Sequence, residues 1–117
     1  MLKKLNRLTK TKDIQTVMKT GRPFYAPLLM LKIKANDLDL RRVTVVVSTK
    51  VSKKATARNL VKRRIREAIL SVLTGLKNGW DGVILASPRI INPQGKTFSY
   101  NDIKANLIMV FKKSGLL

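Results

Sequence analysis

Hydrophobic and polar positions along the chain change period several times, and each change marks an element. From Lys12 to Thr20, Ile14, Val17 and Met18 fall at i, i+3 and i+4, the stripe of a short amphipathic helix. Thr11 stands where an N-cap belongs and Gly21 where the helix should stop. The stripe reads as core, with Met18 able to serve a ligand surface as well. Arg22 to Pro27 is turn-like or a short edge strand, because its two prolines cannot donate to a ladder. Leu29, Leu31 and Ile33 then alternate with Met30, Lys32 and Lys34, the period of a half-buried strand. After the turn residues Asn36 to Asp39, the segment Arg42 to Lys50 is the strongest strand, with Val43, Val45 and Val47 on one face. These two strands read as an antiparallel hairpin.

The period then returns to that of a helix. Between about Ala55 and Leu76, Val61, Ile65, Ala68, Ile69, Val72 and Leu73 form one stripe, ended at Gly75 or Gly79. Gly82 to Ala86 is a buried-strand run stopped by Ser87-Pro88, and residues 88 to 98 form a polar loop. Tyr100 to Ser114 carries Ile103, Leu107, Val110 and Phe111 on one stripe, with Ser99 as candidate N-cap and Gly115 as candidate C-cap. The first ten residues lack a clean period and read as a basic arm. With no repeat and no long linker, residues 1–117 are expected to form one α+β domain.

Composition removes much chemistry from this scaffold. The chain has no His and no Cys, so disulfides, Ser–His and Cys–His pairs and the usual zinc ligand sets are excluded. The six acids are Asp13, Asp37, Asp39, Glu67, Asp81 and Asp102. Only Asp37 and Asp39 have ligand-like spacing, and they lie in the expected turn, so no resident metal site is expected. Catalysis by side chains alone is a poor expectation. No apolar run approaches a membrane span, and the N-terminus lacks the apolar centre of a signal peptide. A cytoplasmic protein is expected, to which the absence of cysteine is suited.

Charge points to a partner. Twenty-five Lys and Arg against six acids give a formal charge of +19, a self-repulsion that a polyanion would relieve. The cations cluster. Lys50, Lys53, Lys54, Arg58, Lys62, Arg63, Arg64 and Arg66 lie in one stretch without an acid. On a helix, Asn59, Lys62, Arg63 and Arg66 project beside the core stripe. Mixed signs would serve solubility better, whereas phosphates reward a one-signed row by counterion release, and arginine grips phosphate in two-pronged fashion. Asn59 can bond a ribose hydroxyl or a base edge, or cap the helix.

The segment Arg58-Asn59-Leu60-Val61-Lys62-Arg63-Arg64-Ile65-Arg66 resembles the basic signature helix, R-N-R-x-K-R-x-x-R, of the bacterial ribonuclease P protein subunit. Arg7-Leu8, Asp13-Ile14 and Val17-Met18 through Gly21 resemble that family's first helix. Val45 to Lys50, followed by Ala55, resembles its strand exit into the basic helix. The likeness runs from about residue 7 to 112. It implies an α-β-β-β-α-β-α sandwich with a left-handed β-α-β crossover, of the ribosomal protein S5 domain 2 type. In function it implies a subunit bound to a catalytic RNA. Together they cut the 5′ leader from precursor tRNA by Mg2+-assisted hydrolysis, the metal being held mainly by the RNA.

Carried over by position, the resemblance implies that Arg58, Asn59, Lys62, Arg63 and Arg66 meet the catalytic RNA, flanked by Lys50, Ser48, Lys53 and Lys54. Leu60 stands where the family has a second arginine, so that contact is missing or supplied by Arg64. A leader-binding cleft between the first helix and the sheet would use Ile14, Met18 and Lys32, with Ser48 assigned to it as well. These cleft positions are commonly aromatic in the family, and here they are not. Weaker or less base-sensitive leader binding is expected. Phe24, Tyr25 and Trp80 are the aromatics left to compensate, Trp80 reading rather as the anchor of the strand after it. The expected partners are the RNase P RNA and precursor tRNA, with no membrane and no small-molecule substrate. The alternative is a general or ribosomal RNA-binding protein without a part in tRNA processing. A DNA-binding module is disfavoured because the basic helix is also a core helix and no half-site pattern is visible.

Overall fold

Each of the periodic segments becomes an element of regular structure. The computed structural model describes residues 3–117. The elements are α1 (Thr11–Thr20), β1 (Arg22–Tyr25), β2 (Leu29–Ala35), β3 (Arg41–Val46), α2 (Ala55–Val72), β4 (Trp80–Ala86) and α3 (Tyr100–Lys113). The order α-β-β-β-α-β-α is the one the resemblance implied.

The strand order is β1-β2-β4-β3. β4 runs antiparallel to β2 (Leu31 opposite Ile84) and parallel to β3 (Val45 opposite Ile84). The expected β2–β3 hairpin is therefore corrected: β4 lies between its two strands. The physical reason is burial on both faces. Val83 and Ile84 are both fully buried, Val83 with Leu8 and Val17 and Ile84 in the larger core. A strand apolar on both faces belongs in the sheet interior, whereas β2 and β3 place Lys32, Lys34 and Arg42 on their second face. β1 is one of the two edge strands, where Pro23 costs no central ladder bond.

Alternation sorts side chains into two layers. Leu29, Leu31, Val43, Val45 and Ile84 join Val61, Ile65, Ile69, Ile103, Leu107 and Phe111 in the core under α2 and α3. On the other face Leu8, Val17 and Val83 form a smaller core, with Ile14, Met18, Val46 and Leu85 packed against it. Beside that core lies Asp81, the one buried charged residue among those described. Arg42 donates to it through Nε (2.8 Å) and Nη2 (2.7 Å), and Asn36 Nδ2 adds a third bond at 2.9 Å. The hydrogen bonds to Asp81 raise the Arg42 pKa, against the opposing effect of burial and with help from the charges of Asp81 and Asp13.

Local signals explain the ends. Thr11 is the first helical residue of α1 rather than its cap; Lys10 holds the cap position without a side-chain bond. Gly21 has an ordinary φ of −69°. It is required by closeness instead, since its N–H bonds Val17 O at 2.8 Å and a Cβ would run into that oxygen. Ser99 caps α3 by accepting from Asp102 N at 3.2 Å. At the other end Gly115, at φ 80°, follows the C-cap Ser114. Its N–H bonds Lys112 O while Leu116 N–H bonds Phe111 O, a Schellman closure. Of the ten residues read as a basic arm, Met1 and Leu2 lie outside the described residues. Lys4–Asn6 make a single 3-10 turn, Leu8 N–H donates to Val43 O at 3.1 Å, and Leu8 is buried.

Candidate nucleic-acid interface

The three helices distribute charge differently. α1 has Asp13 in its first turn and Lys19 in its last; α3 has Asp102 first and Lys112 and Lys113 last. Both arrangements complement the helix dipole. α2 does the opposite. Its first turn has no acid, its last turn no base, and its N-cap Lys54 makes no side-chain cap. Lys53 and Lys54 precede that positive end and Arg58 sits in its second turn, a placement that opposes folding by tenths of a kcal/mol per charge, roughly. It favours any anion that docks there.

The core stripe Val61, Ile65, Ala68 and Ile69 orients α2 and leaves Asn59, Arg63 and Arg66 exposed, with Lys62 half-buried beside them. Lys50, Lys53 and Lys54 are exposed on the connection from β3, which buried Val51 pins to the core. Arg58 is half-buried and donates to Ser52 O at 2.9 Å, so it also braces this connection. Arg64 lies elsewhere. Its Nη1 donates to Phe98 O at 2.9 Å, tying α2 to the loop before α3. It does not join Arg63 and Arg66, and Leu60 is half-buried.

The second set of residues divides as well. Ile14 and Met18 are half-buried against the small core. Lys32 Nζ donates to Met18 O at 2.9 Å, tying β2 to the last turn of α1. Beyond them Tyr25, Met30, Leu85 and Val46 stand opposite one another across all four strands, a single row on the α1 face. A groove of about 470 Å³ opens along the outer part of this row, lined by Tyr25, Met30, Leu85, Ser48, Lys50 and Ser87 among others. Of the residues expected in a cleft only Ser48 lines it, and Ser48 Oγ accepts Lys50 N–H at 3.3 Å in the turn that leads to α2. Met30 and Leu85, which line this groove, do not stand out as site residues in the sequence, and Tyr25 does so only as one of three aromatics able to compensate. Their signal is the alternation itself, for each lies out of phase with the neighbours that fill the large core.

The aromatic candidates separate cleanly. Phe24 packs on the α2–α3 side with Arg22 over its ring at 5.5 Å. Trp80 is 3% exposed and tilted against Phe111. Tyr25 is 62% exposed at the groove. Among the described residues no three acidic side chains gather as metal ligands, and no helix is long and apolar enough to cross a membrane.

A small α+β scaffold with a predominantly cationic exposed helix face beside a sheet groove has the character of a nucleic-acid-binding protein. The Ribonuclease P family model matches residues 2–114. The chain is similar to the ribonuclease P protein components of Dehalococcoides mccartyi (42% identity, 73% of this chain and 68% of that one) and Synechocystis (38%, 99% and 90%). In fold it is similar to an RNase P protein mutant of Staphylococcus aureus (TM-score 0.82, 23% identity, 96% and 90% covered) and to the Thermotoga maritima RNase P protein (0.80, 23%, 92% and 96%). The chain belongs to the ribonuclease P protein component family. It is a subunit of that RNA-processing endoribonuclease.

Proposed function

We propose that the chain binds the RNase P RNA through α2, holds the 5′ leader of precursor tRNA in the sheet groove, and so assists removal of the leader in the cytoplasm. The RNA carries out the hydrolysis with Mg2+ that it holds mainly itself. The observation that carries this reading is α2, whose charges oppose its own dipole and one another, yet present Asn59, Arg63 and Arg66 on one exposed face. Such a helix is favoured against a polyanion, and a nucleic-acid backbone rewards it by counterion release. Lys53 and Lys54 continue the row at its N-terminal end.

The groove supports the leader assignment by position. Ser48 and Lys50 belong to the turn that joins β3 to α2, and both line the groove. A strand leaving the basic face can therefore pass Lys50 and reach Tyr25 without a break in contact. Ile14 and Met18 serve this site from behind, packing with Leu85 onto the same small core of Leu8, Val17 and Val83, and Lys32 ties β2 to α1 beside it.

Reconstitution tests the function. The RNase P RNA of the same organism, at low magnesium, should cleave a leader-bearing precursor faster when the protein is added. Unchanged cleavage by an RNA that binds the protein would refute the assisting role.

A further inference from the structure

A second groove, of about 440 Å³, runs between the outer edge of β3 and α2. Its floor is apolar, made by Leu8, Val43, Val45 and Leu70. Leu70 is 41% exposed on the cationic side of α2, where a helix face that meets only water or phosphate gains nothing from leucine. Arg7, Arg63 and Arg66 line it too, and Glu67 lies between the last two and Leu70 along the chain. Glu67 is the sole acid between Asp39 and Asp81. Among the described residues it makes no ion pair with Arg63, one turn before it, or with Arg66.

A carboxylate and an aliphatic floor set among three arginines differ from a purely cationic phosphate slot, since neither favours an anion. They agree with a base. We infer that this groove receives one unpaired guanine of the RNA partner, its ring against the Val43–Leu70 floor and its phosphates on Arg63 and Arg66. The inference rests on the RNA-binding reading above and specifies what that RNA places there. A carboxylate takes two parallel N–H bonds from guanine, at N1 and the 2-amino group. Adenine and cytosine set an acceptor nitrogen beside their amino group, and uracil flanks its one N–H with two carbonyl oxygens that repel a carboxylate. The strand edge adds backbone groups. Because Val43 O accepts from Leu8 N–H at the outer edge, the N–H and C=O of Val45, two residues on, point off the same edge.

Two measurements on the full chain test this. Kethoxal, which modifies unpaired guanine at N1 and the 2-amino group, should leave one unpaired guanine of the RNase P RNA unmodified in the wild-type complex. Glu67→Gln and Leu70→Ser should each restore its reactivity and weaken RNA binding, Glu67→Gln by about tenfold. In an NMR titration, GMP should move the Thr9, Thr44 and Leu70 amides more than UMP does, with a preference that Glu67→Gln abolishes. Wild-type affinity in both variants with no guanine changing reactivity would overturn the assignment, as would equal response to GMP and UMP. A wild-type chain that binds no RNase P RNA would overturn the broader reading instead, and the nucleotide titration would still decide the groove.

Discussion

Among the described residues Tyr25 is the one exposed aromatic on the sheet face of the proposed leader groove, and its replacement isolates what a stacking platform contributes. In β1, Phe24 and Tyr25 are neighbours in sequence on opposite faces of an edge strand. A base stacked on an aromatic side chain contributes about 1–3 kcal/mol. Tyr25 forms the end of the row, with Met30 opposite and solvent on the outer side, so the lower part of that range applies. Tyr25→Ala is expected to cost about 1–2 kcal/mol, a roughly 5- to 30-fold loss in affinity for leader-bearing precursor.

Fold stability should move little, within about 0.5 kcal/mol, because the ring is mostly exposed. The bond from Lys113 Nζ to Tyr25 O, at 2.8 Å, involves only the backbone and survives. Phe24→Ala should show the reverse pattern: its ring packs against the large core and lies under Arg22, so about 2 kcal/mol of stability is lost with little change in leader preference. The assay is a titration of the assembled ribonucleoprotein with precursor and with mature tRNA, read by fluorescence anisotropy, beside urea unfolding of the free chains. Tyr25→Phe should behave as wild type. A precursor-to-mature affinity ratio that Tyr25→Ala leaves unchanged would refute the placement of the leader over this row.

The remaining expectations concern the basic face and the fold. Arg63→Ala combined with Arg66→Ala should weaken RNase P RNA binding and flatten its log–log salt dependence by about 0.9 per lost duplex phosphate contact; an unaltered slope in a weakened complex would mean that these side chains do not meet phosphates. Asp81→Asn should cost about 2–3 kcal/mol in urea unfolding, because it strips the charge partner from Arg42, whose side chain is 22% exposed. Asp13→Asn, at 3.8 Å from Arg42 and 35% exposed, should cost under about 1 kcal/mol, and equal losses would contradict the ranking by burial. Ser99→Ala should lower stability by about 1 kcal/mol through loss of the α3 cap, while Thr11→Ala, which caps nothing, should be close to neutral in the same unfolding assay.

The elements were legible because each buries one face and so writes its period into the chain. Strand order was not, since a hydrophobic run such as Gly82 to Ala86 does not say which layers cover it. Only with α1 on one side and α2 and α3 on the other does the run become the partner of both β2 and β3. The same gap hid the groove. Tyr25, Met30 and Leu85 belong to three strands, and register alone makes them one row. Arg64 shows the limit for charge: its neighbours Arg63 and Arg66 keep to the exposed face, but 100° of helix rotation turns Arg64 toward the carbonyls of Thr97 and Phe98.

The basic helix was readable for a different reason, which is that its cost is itself local. Arg58 with Lys62, Lys62 with Arg66, and Arg63 with Arg66 stand at helical neighbour spacings, each pair opposing the helix by a few tenths of a kcal/mol, roughly. The cations at the N-terminal end oppose the dipole by a similar amount. Together they approach about 2 kcal/mol, a sizeable part of the 5–15 kcal/mol by which a domain is ordinarily stable. The buried stripe of Val61, Ile65, Ala68 and Ile69 offsets this and fixes the rotation of α2. The scaffold thus supplies the rigidity and the RNA supplies the counter-charge. Binding should therefore stabilise the protein by more than contact with a neutral partner would. For the same reason, multivalent anions such as sulfate should raise the urea midpoint of the free chain more than chloride does at equal ionic strength, and Arg63→Ala with Arg66→Ala should shrink that difference. Identical midpoints in the two salts would mean that the repulsion in α2 is already relieved within the fold.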